Sequence, residues 1–153
     1  LWVLGEVQGG IIVVTLPEKG GKVSFEISQA ESSIRAEVKD GQIKMKVEIK
    51  AEGILGGQTS YQDLSSAEKI RLLETLTTQA ITAEIEAALK KAQKYKADIF
   101  GFGDYLRRHH AQEWKKLEKR WEQKFTQLEV EIKVETSIPK VGLITRPAIL
   151  LAE

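Results

Sequence analysis

"QIKMKVEIKAE", residues 42–52, decides the fold. Ile43, Met45, Val47 and Ile49 fall on one side of an extended chain, and Lys44, Lys46, Glu48 and Lys50 fall on the other. A strict period of two is the signature of a strand with one dry and one wet face. Such strands belong to antiparallel sheets covered on one side only.

The same alternation extends upstream. "KVSFEI" (22–27) places Val23, Phe25 and Ile27 on one face, and "SIRAEV" (33–38) does so with Ile34, Ala36 and Val38. Asp40-Gly41 separates two alternating runs, and both residue types tolerate the positive φ of a two-residue hairpin. Gly20-Gly21 separates "IIVVTLPE" (11–18) from "KVSFEI" in the same way. A meander of about four strands is the expectation for the first third of the chain.

Downstream the period changes. After a loop, "GILGGQTSYQDL" (53–64), Ser65 and Glu68 form a capping-box pattern. From there to about Lys96, Ile70, Leu73, Thr77, Ile81, Ile85, Ala88, Ala92 and Tyr95 recur at steps of three and four. This predicts a helix of about 30 residues, close to 45 Å long. Its middle, "TTQAITAEIEAALKKAQ", is rich in alanine and sets Glu86 four residues before Lys90, as an exposed helix does. One stripe is expected on the sheet, with the other faces left to water or a partner.

Two shorter helices are expected, starting near Asp98 and near Ala111. In the second, Trp114, Leu117, Trp121 and Phe125 form one stripe, read as an anchor into the core. "LEVEIKVETSI" (128–138) alternates again, with Val130, Ile132, Val134 and Ile138 inward, and must rejoin the first sheet to bury that face. The fold class is therefore α+β: a mixed, mainly antiparallel sheet of about four to five strands, with one long and two shorter helices on one face. With 153 residues and 42% hydrophobic content, a single domain over 1–153 is expected.

Composition narrows the function. The 23 basic and 22 acidic residues nearly cancel, so no global field draws in nucleic acid or an anionic membrane. Without cysteine the chain has no disulfide, thiolate nucleophile or cysteine-based zinc site. No apolar run approaches the roughly 20 residues of a spanning helix. "LWVLGEVQGG" lacks the basic region and cleavage site of a signal peptide, and a start at leucine is expected of a fragment or mature segment.

The least generic stretch is "ADIFGFGDYLRRHHAQEWKKL", residues 97–117. Gly101 and Gly103 suggest a nucleotide loop, but Leu106 stands where a dinucleotide fingerprint needs its third glycine, and the segment follows a helix instead of a strand. Adjacent His109 and His110 point about 100° apart on a helix and cannot share one ion. His109 with Glu113 makes two ligands without a third. No serine sits in a nucleophile elbow, so no catalytic residue, metal or cofactor is expected. The structural reading is a joint between helices, with Asp98 capping the second, the two glycines letting a neighbouring backbone approach closely, and Phe100 and Phe102 pinning the turn to two different surfaces.

In residues 97–144, Asp98, Phe100, Gly101, Phe102 and Gly103 precede the spaced Trp114 and Trp121, an alternating strand at Val130–Val134 and Gly142. Together with "VSFEI" and "IKMKVEIKAEG" upstream of a long helix, this order resembles the C-terminal region of the spore-germination receptor C subunits, the Ger(x)C (GerAC/GerBC-like) lipoproteins. The resemblance covers roughly Val23 to Ile144. It implies the third, C-terminal domain of a non-enzymatic C subunit that acts with integral-membrane A and B subunits in a nutrient receptor of the inner spore membrane. It also implies contacts with those subunits or with other domains of the same C subunit. The family's signal peptide and lipid-modified cysteine have no counterpart in these residues, so lipid anchoring is implied for the parent protein and this fragment is expected to be soluble. An alternative is a small-ligand module in which Trp114 and Trp121 wall a germinant pocket.

Overall fold

In a computed structural model, the structure describes residues 2, 7, 9–18, 20–58, 64 and 66–139. The elements run β1 (Ile11–Thr15), β2 (Lys22–Lys39), β3 (Gln42–Gln58), α1 (Ala67–Lys94), α2 (Phe102–His109), α3 (Ala111–Leu117), α4 (Trp121–Thr126) and β4 (Glu129–Ser137), with a 3-10 turn at Glu118–Arg120 before α4. The strands form a four-stranded sheet in the order β1-β2-β3-β4. The first two pairings are antiparallel, whereas β4 runs parallel to β3. That direction follows from the connection: a strand reached through a long helix returns to its starting end, while strands joined by tight turns reverse. The α+β class and the mainly antiparallel sheet match the alternation of the sequence.

The β2–β3 hairpin closes at Asp40-Gly41, with φ values of 51° and 74°. Lys39 pairs with Gln42 directly across the turn. Two positive φ values match the right-handed twist of the flanking strands, which makes the hairpin tight.

Two details differ from the sequence expectation. "KVSFEI" and "SIRAEV" are one 18-residue strand, not two. The buried positions are odd at Val23, Phe25 and Ile27, whereas from Ala30 onward the half-buried positions are even and the odd ones exposed. The register shifts between Ile27 and Gln29, so the extra residue, Ser28, is a bulge that flips the phase without ending the strand. Likewise "GILGGQ" continues β3 and is not a loop. Gly53 permits this, because a Cβ there would lie 2.3 Å from the Glu26 carbonyl oxygen and 2.6 Å from the Phe25 ring.

Helix α1 begins one residue later than expected. Its cap is the Ser66 hydroxyl, which accepts from the Lys69 amide at 3.3 Å. Lys69 at the third helical position offers no reciprocal carboxylate, so the proposed box with Glu68 is not formed by this cap; Ser65 lies outside the described residues. The stripe Ile70, Leu73, Thr77, Ile81, Ile85 and Ala92 is buried as its spacing requires. Tyr95 departs from it and is 67% exposed. The helix ends in a Schellman motif: the Lys96 amide donates to Gln93 and the Ala97 amide to Ala92, with Lys96 left-handed at φ 56°.

The helices cover one face of the sheet. Beneath the α2 end, Met45, Val47, Ile49, Ile81, Ile85, Phe102, Leu106, Phe125 and Val134 share one cluster. Beneath the start of α1, Val14, Val23, Phe25, Leu55, Ile70, Leu73 and Ile138 share another. The opposite face is charged and laced with ion pairs: Lys44 to Glu131 at 2.9 Å, Lys46 to Glu37 at 2.8 Å and Lys133 to Glu135 at 3.0 Å. Gly142 and the tail from residue 140 lie outside the described residues.

Candidate functional site

The joint after α1 is organised by one carboxylate. Asp98 Oδ1 accepts from the Phe102 amide at 3.1 Å, and Oδ2 accepts from the Gly103 amide at 2.7 Å and from Trp121 Nε1–H at 3.0 Å. Free amides in the first turn of a helix need acceptors, and an ionised carboxylate is among the strongest available. Asp98 thus caps α2, as expected, but from three residues before the N-cap position, which Gly101 occupies at φ 74°. A left-handed residue turns the chain so that the carboxylate meets the helix end, and glycine adopts that φ without a Cβ clash.

Gly103 is required for a different reason. A Cβ there would lie 2.7 Å from Trp121 Nε1 and 3.1 Å from the edge of Trp114. The close neighbour that the glycine pair admits is therefore the tryptophan pair, not a backbone.

The two phenylalanines do not pin separate surfaces. Their rings stack at 5.4 Å and 15° and enter the same core, where Phe102 meets Phe125 at 6.3 Å. The left-handed residue between them removes the alternation of an extended chain, so both side chains leave on one side.

The tryptophan helix is also interrupted. A 3-10 turn at Glu118–Arg120 divides it into α3 and α4. In a continuous helix, residues 114 and 121 would be about 10 Å apart along the axis, whereas the indoles meet edge to face at 5.4 Å and 65°. Trp114 and Trp121 are half-buried, and Phe125 is fully buried, as the anchoring stripe requires. The indoles face one another and Trp121 spends its N–H on Asp98, an arrangement that binds α2, α3 and α4 into one unit. The paired indoles also border an open depression of about 760 Å³ whose other lining residues are mostly charged, among them Lys96, Glu118, Lys119 and Arg120, so they do not enclose a slot between two apolar walls.

Arg107 and Arg108 both pair with Asp104, the first at 2.7 Å. The hydrogen bond from Arg107 is the chief cause that holds the Asp104 carboxyl below its ordinary value. His109 packs on Tyr105 at 4.5 Å, with His110 on the same ring at 6.2 Å. No group of three His, Asp or Glu side chains with metal-binding geometry occurs among the described residues.

Sequence reasoning did not reach three features. Gln93 near the end of α1 donates to the Phe125 and Leu128 carbonyls, both at 3.0 Å, and so ties α4 to α1. Trp2 donates its indole N–H to Glu84 at 2.8 Å. Beside that bond, a cleft of about 360 Å³ opens between β1, α1 and the joint, lined by Trp2, Ile11, Ile12, Ile85, Ile99 and Phe100. Ile11 and Ile99, 63% and 60% exposed, stand among its lining residues.

No described helix is long and apolar enough to cross a membrane. A family model described as Spore germination B3/GerAC like, C-terminal, matches residues 1–142. Spore germination protein KC of Bacillus subtilis is 24% identical over 148 residues, which cover 96% of this chain and 36% of the relative. Spore germination protein A3 of the same organism is 30% identical over 144 residues, covering 90% of this chain and 38% of the relative. The crystal structure of the GerBC protein superposes with a TM-score of 0.77 at 25% identity, over 90% of this chain and 42% of that one. The chain thus spans less than half the length of the relatives it matches.

Proposed function

This chain belongs to the Spore germination B3/GerAC-like family in its C-terminal part, and from that membership we infer that it is the third, C-terminal domain of a germinant-receptor C subunit. The domain acts without catalysis, by contact with the integral-membrane A and B subunits or with the preceding domains of the same polypeptide. The parent protein is lipid-anchored at the inner spore membrane, and this domain is a soluble part of it. The observation that carries the reading is the match to the family model over residues 1–142, nearly end to end.

The site residues fit this reading as a rigid support. Asp98, Gly101, Gly103, Phe102, Trp114 and Trp121 lock the joint, and Ile99 is presented outward beside the apolar cleft while Phe100 lines it. An exposed apolar side chain on a capped, cross-braced turn is preorganised for a partner, since little freedom remains to be lost on contact. Ile11 and Ile99 are the proposed contact residues.

The test is made in spores carrying the full-length parent subunit. Ile11→Asp with Ile99→Asp is expected to abolish the response to nutrient while the subunit remains at its normal level in the membrane fraction. Wild-type germination together with normal recovery of the A and B subunits would refute the assignment of this surface.

A further inference from the structure

Strand β1 is much shorter than the strand it covers. It pairs with β2 only from Lys22 to Glu26, and the last bond on that side runs from the Ile27 amide to the Gly10 carbonyl at 2.8 Å. Residues 33–39 have β3 on one side and, among the described residues, no strand on the other. This free edge is about 23 Å long at 3.3 Å per residue. It has no proline, no bulge beyond Ser28 and no inward-facing charge to guard it; its inward residues are Ile34, Ala36 and Val38, and α2 also approaches β2.

The charges on this edge are incompletely paired within the chain. Arg35 sits directly opposite Lys46, cation against cation. Lys46 is held by Glu37 at 2.8 Å, and among the described residues Arg35 has no carboxylate partner. Like charges at opposed positions are unfavourable. A carboxylate on the open side of β2 would correct this.

We propose that residues 33–39 of β2 pair antiparallel with the same residues of a second copy of this chain, with Ala36 on the two-fold axis. Arg35 of each copy then opposes Glu37 of the other, and Ile34 opposes Val38, so the apolar row under one sheet continues into the next. Neighbouring registers fail on charge or packing. Centring on Arg35 opposes arginine to arginine, centring on Ile34 opposes Glu31 to Glu37, and centring on Ser33 loses both Ile34–Val38 contacts. The other free edge, β4, is not self-complementary, because its outward Glu129, Glu131, Lys133 and Glu135 carry three carboxylates to one lysine. The result is one continuous sheet of eight strands built from two four-stranded halves.

Sedimentation velocity on the 153-residue chain tests this, with melting temperature as the folding control. The wild type should form dimers as concentration rises toward about 1 mM. Arg35→Glu turns two attractive pairs into repulsive ones and should raise the dimer dissociation constant by roughly tenfold or more. Adding Glu37→Arg to that variant should restore the wild-type constant, because the swapped charges again oppose each other. A chain that stays monomeric across the range, a dimer indifferent to Arg35→Glu, or a double variant without recovery each overturns the proposal.

Discussion

Replacing Asp98 tests the account of the joint most directly. In Asp98→Ala, the Phe102 and Gly103 amides and the Trp121 N–H lose their acceptors together. Loss of a helix cap costs about 1 kcal/mol, and an indole N–H left unpaired in a half-buried position costs about 1–3 kcal/mol. The sum is about 2–4 kcal/mol, or a fall in Tm on the order of 6–12 °C for a domain of this size. Asp98→Asn should lose less, because one amide oxygen can still serve Gly103 and Trp121 while its NH2 opposes the Phe102 amide. The assay is urea denaturation followed by far-UV circular dichroism and tryptophan fluorescence. A cycle with Trp121→Phe isolates the indole bond and should return a coupling of about 1–3 kcal/mol. A loss under about 1 kcal/mol for Asp98→Ala, or a coupling indistinguishable from zero, would refute the claim that this carboxylate unites α2 with α4.

The two glycines of the joint should respond differently to alanine. Gly101→Ala meets no atom within 4 Å but must hold φ at 74°, a strain of about 1–2 kcal/mol. Gly103→Ala drives a methyl to 2.7 Å from Trp121, and overpacking of about 1–3 kcal/mol outweighs its better helix propensity. Thermal melts should show the Gly103 variant losing the near-UV signal of the tryptophan pair and the Gly101 variant keeping it. Acid should weaken the fold slightly. Glu37, Glu131 and Glu135 are depressed below the ordinary 4.5, each chiefly by a hydrogen bond from a lysine. A depressed carboxylate stabilises fully above its unfolded value and loses that contribution as pH falls through its folded value. The decline should therefore begin below about pH 4.5. Because these pairs are on the surface, the acid-linked part should shrink in high salt, and a Tm that rises between pH 5 and pH 3 would contradict the sign.

Much of this architecture is legible in the residues alone. The period of two in 42–52, the positive-φ pair Asp40-Gly41 and the helical stripe from Ile70 to Ala92 are local patterns. Each is set by geometry that repeats within a few residues, and the structure has all three. Asp98 was recognisable as a cap because the need of a helix start for acceptors is also local. The family resemblance rested on the order of such short segments.

What the tertiary structure decided depends on partners distant in the chain. The phase flip at Ser28 resembles two strands until β3 is laid beside it and shows one strand with a bulge. "GILGGQ" has the composition of a loop, yet the Phe25 ring over Gly53 makes it a strand. Trp121 reaches Asp98 across 23 residues, from a helix that a 3-10 turn separates from α3. Periodicity records which side of an element is dry, since burial selects residue type at every turn or pleat. It carries no record of which other element does the drying, and that choice is made when register, direction and packing are satisfied together.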